Sequence, residues 1–248
     1  MPDRLSGSLP RRLPLTTIAV LLITATVTGL QLIFPGELSA LRRNPEALEA
    51  GEWWRIISPL LVHSDGWLQI AVNLLGIAVV GVTVERLFGG VRFLMLYLGA
   101  GLAGEIAGYR WDPHGAGASV ALLGLVGGLV ALSLFERRPQ GRLVSWIYAL
   151  YLIAALTGAA IAGMWFGAVL TVLAVGTFML LSKRNDPAQP ATWLVGICGI
   201  AGAGVLTVLR DIHGPALLVG IGLAAIMCWS AHRHLMIPAG VSRHHASS

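Results

Sequence analysis

The sequence predicts an all-α fold, a polytopic transmembrane helical bundle of about eight spans, counting roughly 20 apolar residues as one crossing. Three observations carry that prediction. Hydrophobic residues make up 56% of the 248 positions and charged residues only 12%. The apolar residues fall in long uninterrupted blocks rather than a soluble protein's alternation. Charged or Pro-rich joints separate most of the blocks. Backbone groups in lipid must be satisfied within the segment itself, so blocks of this length read as helices.

Taken in order, the predicted spans cover approximately 15–34, 56–84, 92–109, 117–135, 143–162, 165–182, 191–209 and 213–231. The first follows the Pro- and Arg-containing residues 1–14 without a small-residue cleavage site, so it is expected to stay as a helix rather than leave as a signal peptide. The stretch 143–182 holds no Lys, Arg, Asp or Glu and is long enough for two crossings, hence a hairpin hinged near Gly163-Met164. The simplest organisation is one membrane domain over 15–231, flanked by a cytoplasmic N-terminal tail at 1–14 and a cytoplasmic polar tail at 232–248.

Basic loops resist translocation, and this sets the orientation. With a cytoplasmic N-terminus, 12 of the 17 Lys and Arg residues fall inside: Arg4, Arg11, Arg12, Arg86, Arg92, Arg137, Arg138, Arg142, Lys183, Arg184, Arg233 and Arg243. Arg42, Arg43, Arg55, Arg110 and Arg210 fall outside. Both termini are then cytoplasmic, as in a bacterial-type plasma membrane protein. The formal charge of +5 is dispersed at span ends instead of forming one patch with interleaved aromatics, which argues for topology and against a nucleic acid partner. Cys198 and Cys228 lie within predicted helices and lack metal-type spacing, so neither a disulfide framework nor a zinc site is indicated.

Polar side chains inside spans are costly, so those that packing does not explain are the candidates for function. Three segments stand out: Gly51-Glu52-Trp53-Trp54-Arg55 running into His63, Gln69 and Asn73; Gly117-Ala118-Ser119; and Asp211-Ile212-His213. Ser119 and His213 each open a helix descending from the outer face, at similar depth. Gln69 and Asn73 are four apart and share one face of the second span. A serine nucleophile needs an imidazole to take its proton and neutral donors aimed at the developing oxyanion. No acid within the spans is placed to orient His213, and Asp211 reads as a helix N-cap, so the expectation is a dyad. His114, five residues before Ser119, is a competing base. Each residue taken singly also has a packing or capping role open to it. Small residues at Gly124 and Gly128, and at Ala216, Gly220 and Ala224, would let the two helices approach closely.

Together these residues resemble the rhomboid intramembrane serine proteases. Gly51-Glu52-Trp53-Trp54-Arg55 with Ser58-Pro59-Leu60 and His63 looks like that family's Trp-Arg loop, Asn73-Leu74-Leu75-Gly76 its asparagine region, and Glu85-Arg86-Leu87-Phe88-Gly89 the close of that helix. Gly117-Ala118-Ser119 is similar to the nucleophile motif Gly-x-Ser-Gly, and His213 with Ala216 and Gly220 to the last core helix. The resemblance implies a rhomboid-like bundle with Ser119 as nucleophile and His213 as general base and then acid. Gln69 and Asn73 would line the oxyanion site beside Gly117, and the loop of Trp53, Trp54 and Arg55 would lie in the outer leaflet. It implies an endopeptidase acting on transmembrane protein substrates in the lipid bilayer, with no metal or cofactor.

The chain departs from that pattern in three places. Val120 stands where the motif has its second glycine, Gln69 where the family usually has a histidine, and two extra spans separate Ser119 from His213. They motivate an alternative, a catalytically silent rhomboid-like protein that binds transmembrane segments. A third reading, a small transporter, rests on Glu105 as an ionisable group inside the third span.

Overall fold

A computed structural model describes residues 13–34, 36–136, 140–184 and 190–236. Most of both tails, and with them Arg4, Arg11, Arg12, Arg137, Arg138 and Arg243, lies outside the described residues. The helices are α1 (Leu15–Ile33), α2 (Gly36–Leu41), α3 (Pro45–Glu49), α4 (Gly66–Gly76), α5 (Val82–Phe88), α6 (Gly90–Trp111), α7 (Ser119–Phe135), α8 (Leu143–Ala162), α9 (Met164–Arg184), α10 (Trp193–Val208) and α11 (His213–Met236). A π-turn at Ile77–Gly81 joins α4 to α5. No strand occurs among the described residues.

Six helical stretches are long and apolar enough to cross a membrane, with Gly66–Phe88 counted as one, and α7 and α10 are shorter apolar helices. The predicted hairpin forms, turning at Gly163 with φ +86°. One boundary is corrected: the second span does not start at 56 but at Gly66. Before it, Trp53–Ile56 and Ser58–Leu61 form two short 3₁₀ turns. Pro59 lacks the N–H a continuous helix needs, and Ser58 Oγ donates to Leu41 O at 2.7 Å, tying this stretch to the preceding loop.

α7 is the central post, with every residue from Val120 to Ser133 buried. α11 and α6 flank it most closely, followed by α10. α7 meets α11 backbone to backbone, because a Cβ at Gly220 would lie 2.6 Å from Gly124 O and one at Gly127 2.6 Å from Ile221 N. Gly124 and Gly128 both turn their Cβ positions toward α6, at Leu96 and Ala100, so the expected pair serves the α6 contact, and α11 is met by Gly127 and by the backbone of Gly124. Helices in lipid associate through such close packing.

Polar bonds fix the outer elements. Glu85 accepts from Thr16 N at 2.9 Å, Thr17 N at 2.6 Å and Thr17 Oγ1 at 2.7 Å, so the end of the second span supplies a carboxylate to the unsatisfied N-terminus of α1. The π-turn leaves the Val79 carbonyl available, and Ser145 Oγ of α8 donates to it at 2.9 Å.

Candidate active site

The site is assembled on the turn that precedes α7. Arg43 N donates to Gly115 O at 3.2 Å, Ser64 Oγ to Ala116 O at 3.0 Å and Gly117 N to Pro59 O at 3.0 Å. The loop from α2 to α4 therefore holds the turn residue by residue up to Ser119, the first residue of its helix. Above it lies a polar cavity of about 300 Å³ lined by Gln69, Gly117, Ser119, Val120 and His213, among others.

Ser119 Oγ lies 2.9 Å from His213 Nε2 across a sequence separation of 94. On the other side of the ring, Nδ1 lies 2.6 Å from Asp211 Oδ1. A carboxylate can only accept, so Nδ1 carries the proton and Nε2 is left free to accept from the Ser119 hydroxyl. The expected helix cap is also present: Asp211 Oδ1 accepts from His213 N at 2.9 Å. Burial pushes the Asp211 carboxyl up, but hydrogen bonds from the His213 ring and backbone outweigh that and hold it below the usual carboxylate range. The sequence expectation of a histidine with no carboxylate partner is thus corrected by an acid that reads as a cap and reaches the ring as well.

The remaining candidates divide. A Cβ at Gly117 would sit 2.8 Å from Gln69 Nε2 and 3.2 Å from Ser119 Oγ, so this glycine keeps open a small space that both groups face. Gln69 Nε2 donates to Asp65 Oδ2 at 3.0 Å and more weakly to Ala116 O at 3.4 Å. Asn73, one turn further along α4, is buried and does not line the cavity, and its Nδ2 has no hydrogen-bond partner. His114 is exposed on the cavity rim, while Ser119 Oγ bonds His213. Val120 is fully buried, and its side chain fits because α6 presents Gly104, where a Cβ would overlap Val120 Cγ1.

Trp53 and Trp54 are 68% and 54% exposed, as amphipathic rings at a membrane boundary would be. Arg55 turns inward instead, with Nη1 donating to Ser39 O and Arg42 O at 2.9 Å each and Nε donating to Glu52 Oε2 at 2.7 Å. His63 Nδ1 lies 3.2 Å from Thr28 Oγ1, and burial, only partly opposed by the nearby Asp65 charge, pushes its pKa down to about 4. His63 is therefore a neutral structural group.

Sequence reasoning missed Arg43. Its fully buried guanidinium donates from Nη1 to both Glu105 oxygens at 2.8 Å, from Nε to Asp112 O at 2.8 Å and from Nη2 to Asp112 Oδ2 at 2.6 Å. Glu105, which motivated the transporter reading, has a fixed cationic partner. A buried carboxylate inside a span is itself the signal that a cation must face it.

The Rhomboid domain family matches residues 50–209, well over half of the chain. The chain belongs to the rhomboid family. It is 43% identical over 89 residues to Rhomboid protease GluP of Bacillus subtilis, covering 36% of this chain and 17% of that protein. It is 38% identical over 96 residues to Putative rhomboid protease YdcA of the same organism, covering 37% and 47%. To RHOMBOID-like protein 5 of Arabidopsis thaliana it is 35% identical over 99 residues, covering 38% and 31%. The chain thus matches less than half the length of each of these relatives. The rhomboid match ends at 209, just short of Asp211 and His213. This rhomboid is an integral membrane protein by family and by its apolar helices.

Proposed function

We propose that this rhomboid is an intramembrane serine endopeptidase that cleaves transmembrane segments of other membrane proteins near their outward ends. The observation that carries the reading is the 2.9 Å contact between Ser119 Oγ and His213 Nε2 in a polar cavity. Ser119 gives its proton to Nε2 as its oxygen bonds the scissile carbonyl carbon. The imidazolium returns that proton to the leaving amine as the C–N bond breaks. Water then attacks the acyl ester, its proton passing through His213, which releases the acid and restores the hydroxyl. Gln69 Nε2, facing the space that Gly117 keeps open beside Ser119 Oγ, is the donor for the oxyanion at the N-terminal, electropositive end of α7, with Asn73 one turn below it in support. The exposed Trp53 and Trp54 support a loop lying in the outer leaflet beside the substrate's route, in a reading that takes residues 15–231 as the membrane domain and both termini as cytoplasmic.

In purified protein, a fluorophosphonate probe is expected to label Ser119, and Ser119→Ala to abolish the label. Equal labelling of the variant removes Ser119 from the role. One observation favours a second reading, a rhomboid that binds transmembrane segments without cutting them: Gly117 N and Gln69 Nε2 already have partners. Capture of transmembrane segments by unlabelled wild type, undiminished in Ser119→Ala and without cleaved fragments, would select it.

A further inference from the structure

The acid beside His213 is held more firmly than a helix cap requires. Asp211 N donates to Leu206 O at 2.8 Å, and Asp211 O accepts from Gly214 N at 3.0 Å, so the backbone is pinned on both sides of the residue. The preceding turn is completed by Arg210 in the left-handed region, φ 59°. Thus fixed, one carboxylate oxygen reaches both the first amide of α11 and the imidazole edge opposite Ser119.

The other charged groups near the ring are compensated or peripheral. From α6, Glu105 is bonded through both oxygens to Arg43, and Asp112 after it takes the other arm of the same guanidinium. Asp65 is bonded to Gln69 and Ser64, and His114 is an exposed rim residue. α7 carries no titratable side chain, and the Cys198 thiol of α10 lies roughly 15 Å of helix rise below that helix's upper end. Among the described residues, Asp211 has no ion-pair partner other than His213.

We infer that Asp211 is a positioning residue of the reaction, making a Ser119–His213–Asp211 series in place of an isolated pair. It holds the proton on Nδ1 so that Nε2 faces Ser119 as the base. It also places a negative charge beside the imidazolium that forms when Ser119 attacks. The inference rests on the peptidase reading. No atom is transferred to Asp211, which stays ionised throughout.

The test compares fluorophosphonate labelling rates of wild type, Asp211→Asn and Asp211→Ser from pH 5 to 9. Asn and Ser are both good N-caps, so the start of α11 is preserved in each, and folding of either variant suffices. Labelling is expected to slow by about 10–100-fold, less than for a fully enclosed triad acid because the Asp211 side chain is 27% exposed. The acid limb of the pH profile is expected to move to lower pH, since both variants replace the negative charge beside the ring with a neutral group. A purely structural cap would leave that limb where it is. Wild-type rate and profile in either variant overturn the inference alone. Absence of Ser119 labelling in wild type overturns the peptidase reading and this inference with it.

Discussion

α7 and α9 are apolar helices of similar make-up that live in different surroundings. α7 is buried along its length from Val120 to Ser133, while only 11% of the span Met164–Lys183 is buried, with Trp165 at 88% and Val172 at 71% exposed. α9 packs mainly on α8, and α8 in turn is fastened to the second span through Ser145. The hairpin inserted between the serine and histidine helices therefore lies outside them and leaves their contact intact. An insertion of two crossings keeps the sidedness of the later helices, and α10 returns the chain so that α11 still packs on α7. The number of spans between two site residues is thus a poor guide to their distance when small residues fix the helix pair that carries them.

The largest effect expected from this contrast is on the site side. Replacing Arg43 by Met leaves Glu105 buried without its cation and removes the strap between the α2–α3 loop and the α6 end, at a cost of about 3–5 kcal/mol. Unfolding of the purified protein in graded denaturant reads this directly. The double variant Arg43→Met with Glu105→Gln is expected to lose markedly less, because the uncompensated charge is then gone. Equal losses in the two variants would mean that the buried pair is not what holds the strap.

Some of this architecture was legible in the sequence, because hydropathy and the alternation of sides are local properties. They put Ser119 and His213 at one depth and gave α8 and α9 their hairpin. The start of the second span was not legible, since Arg55 and Ser58 spend their donors on carbonyls of the preceding loop, and Pro59 alone marks a break only in retrospect. The Arg43–Glu105 pair joins positions 62 apart, beyond any helical spacing. Asp211 was legible as a cap but not as the ring's partner, because residue order does not reveal that one oxygen serves both. The exchange of Gly127 for Gly128 at the α11 contact is a matter of helix rotation, which a chain rich in glycine leaves undetermined.

A smaller effect is expected at the α7–α11 contact itself. Gly220→Ala introduces a methyl 2.6 Å from Gly124 O and 2.8 Å from Gly124 Cα, and backbone cannot rotate aside as a side chain can. The two helices must separate, with overpacking worth about 1–3 kcal/mol. A shift of about 1 Å between Ser119 and His213 would slow probe labelling by up to roughly 10²-fold. Labelling at the wild-type rate would show that the site tolerates a parting of its two helices.

The smallest effect is expected on the other side of the comparison, and with the opposite sign. A Cβ at Gly176 in α9 would have no neighbouring atom within 4 Å. Gly176→Ala therefore adds no clash, reduces the freedom of the unfolded chain and is expected to stabilise by about 0.4–1 kcal/mol. Probe labelling should stay unchanged, since α9 makes no part of the cavity. The same chemical change, one methyl on a helical glycine, then has opposite consequences at 220 and 176, which ties the difference to surroundings rather than to helix propensity. A loss of stability in Gly176→Ala would mean that this face of α9 has a close neighbour in the membrane, and the hairpin would have to be regarded as an interface instead of a lipid-facing rim.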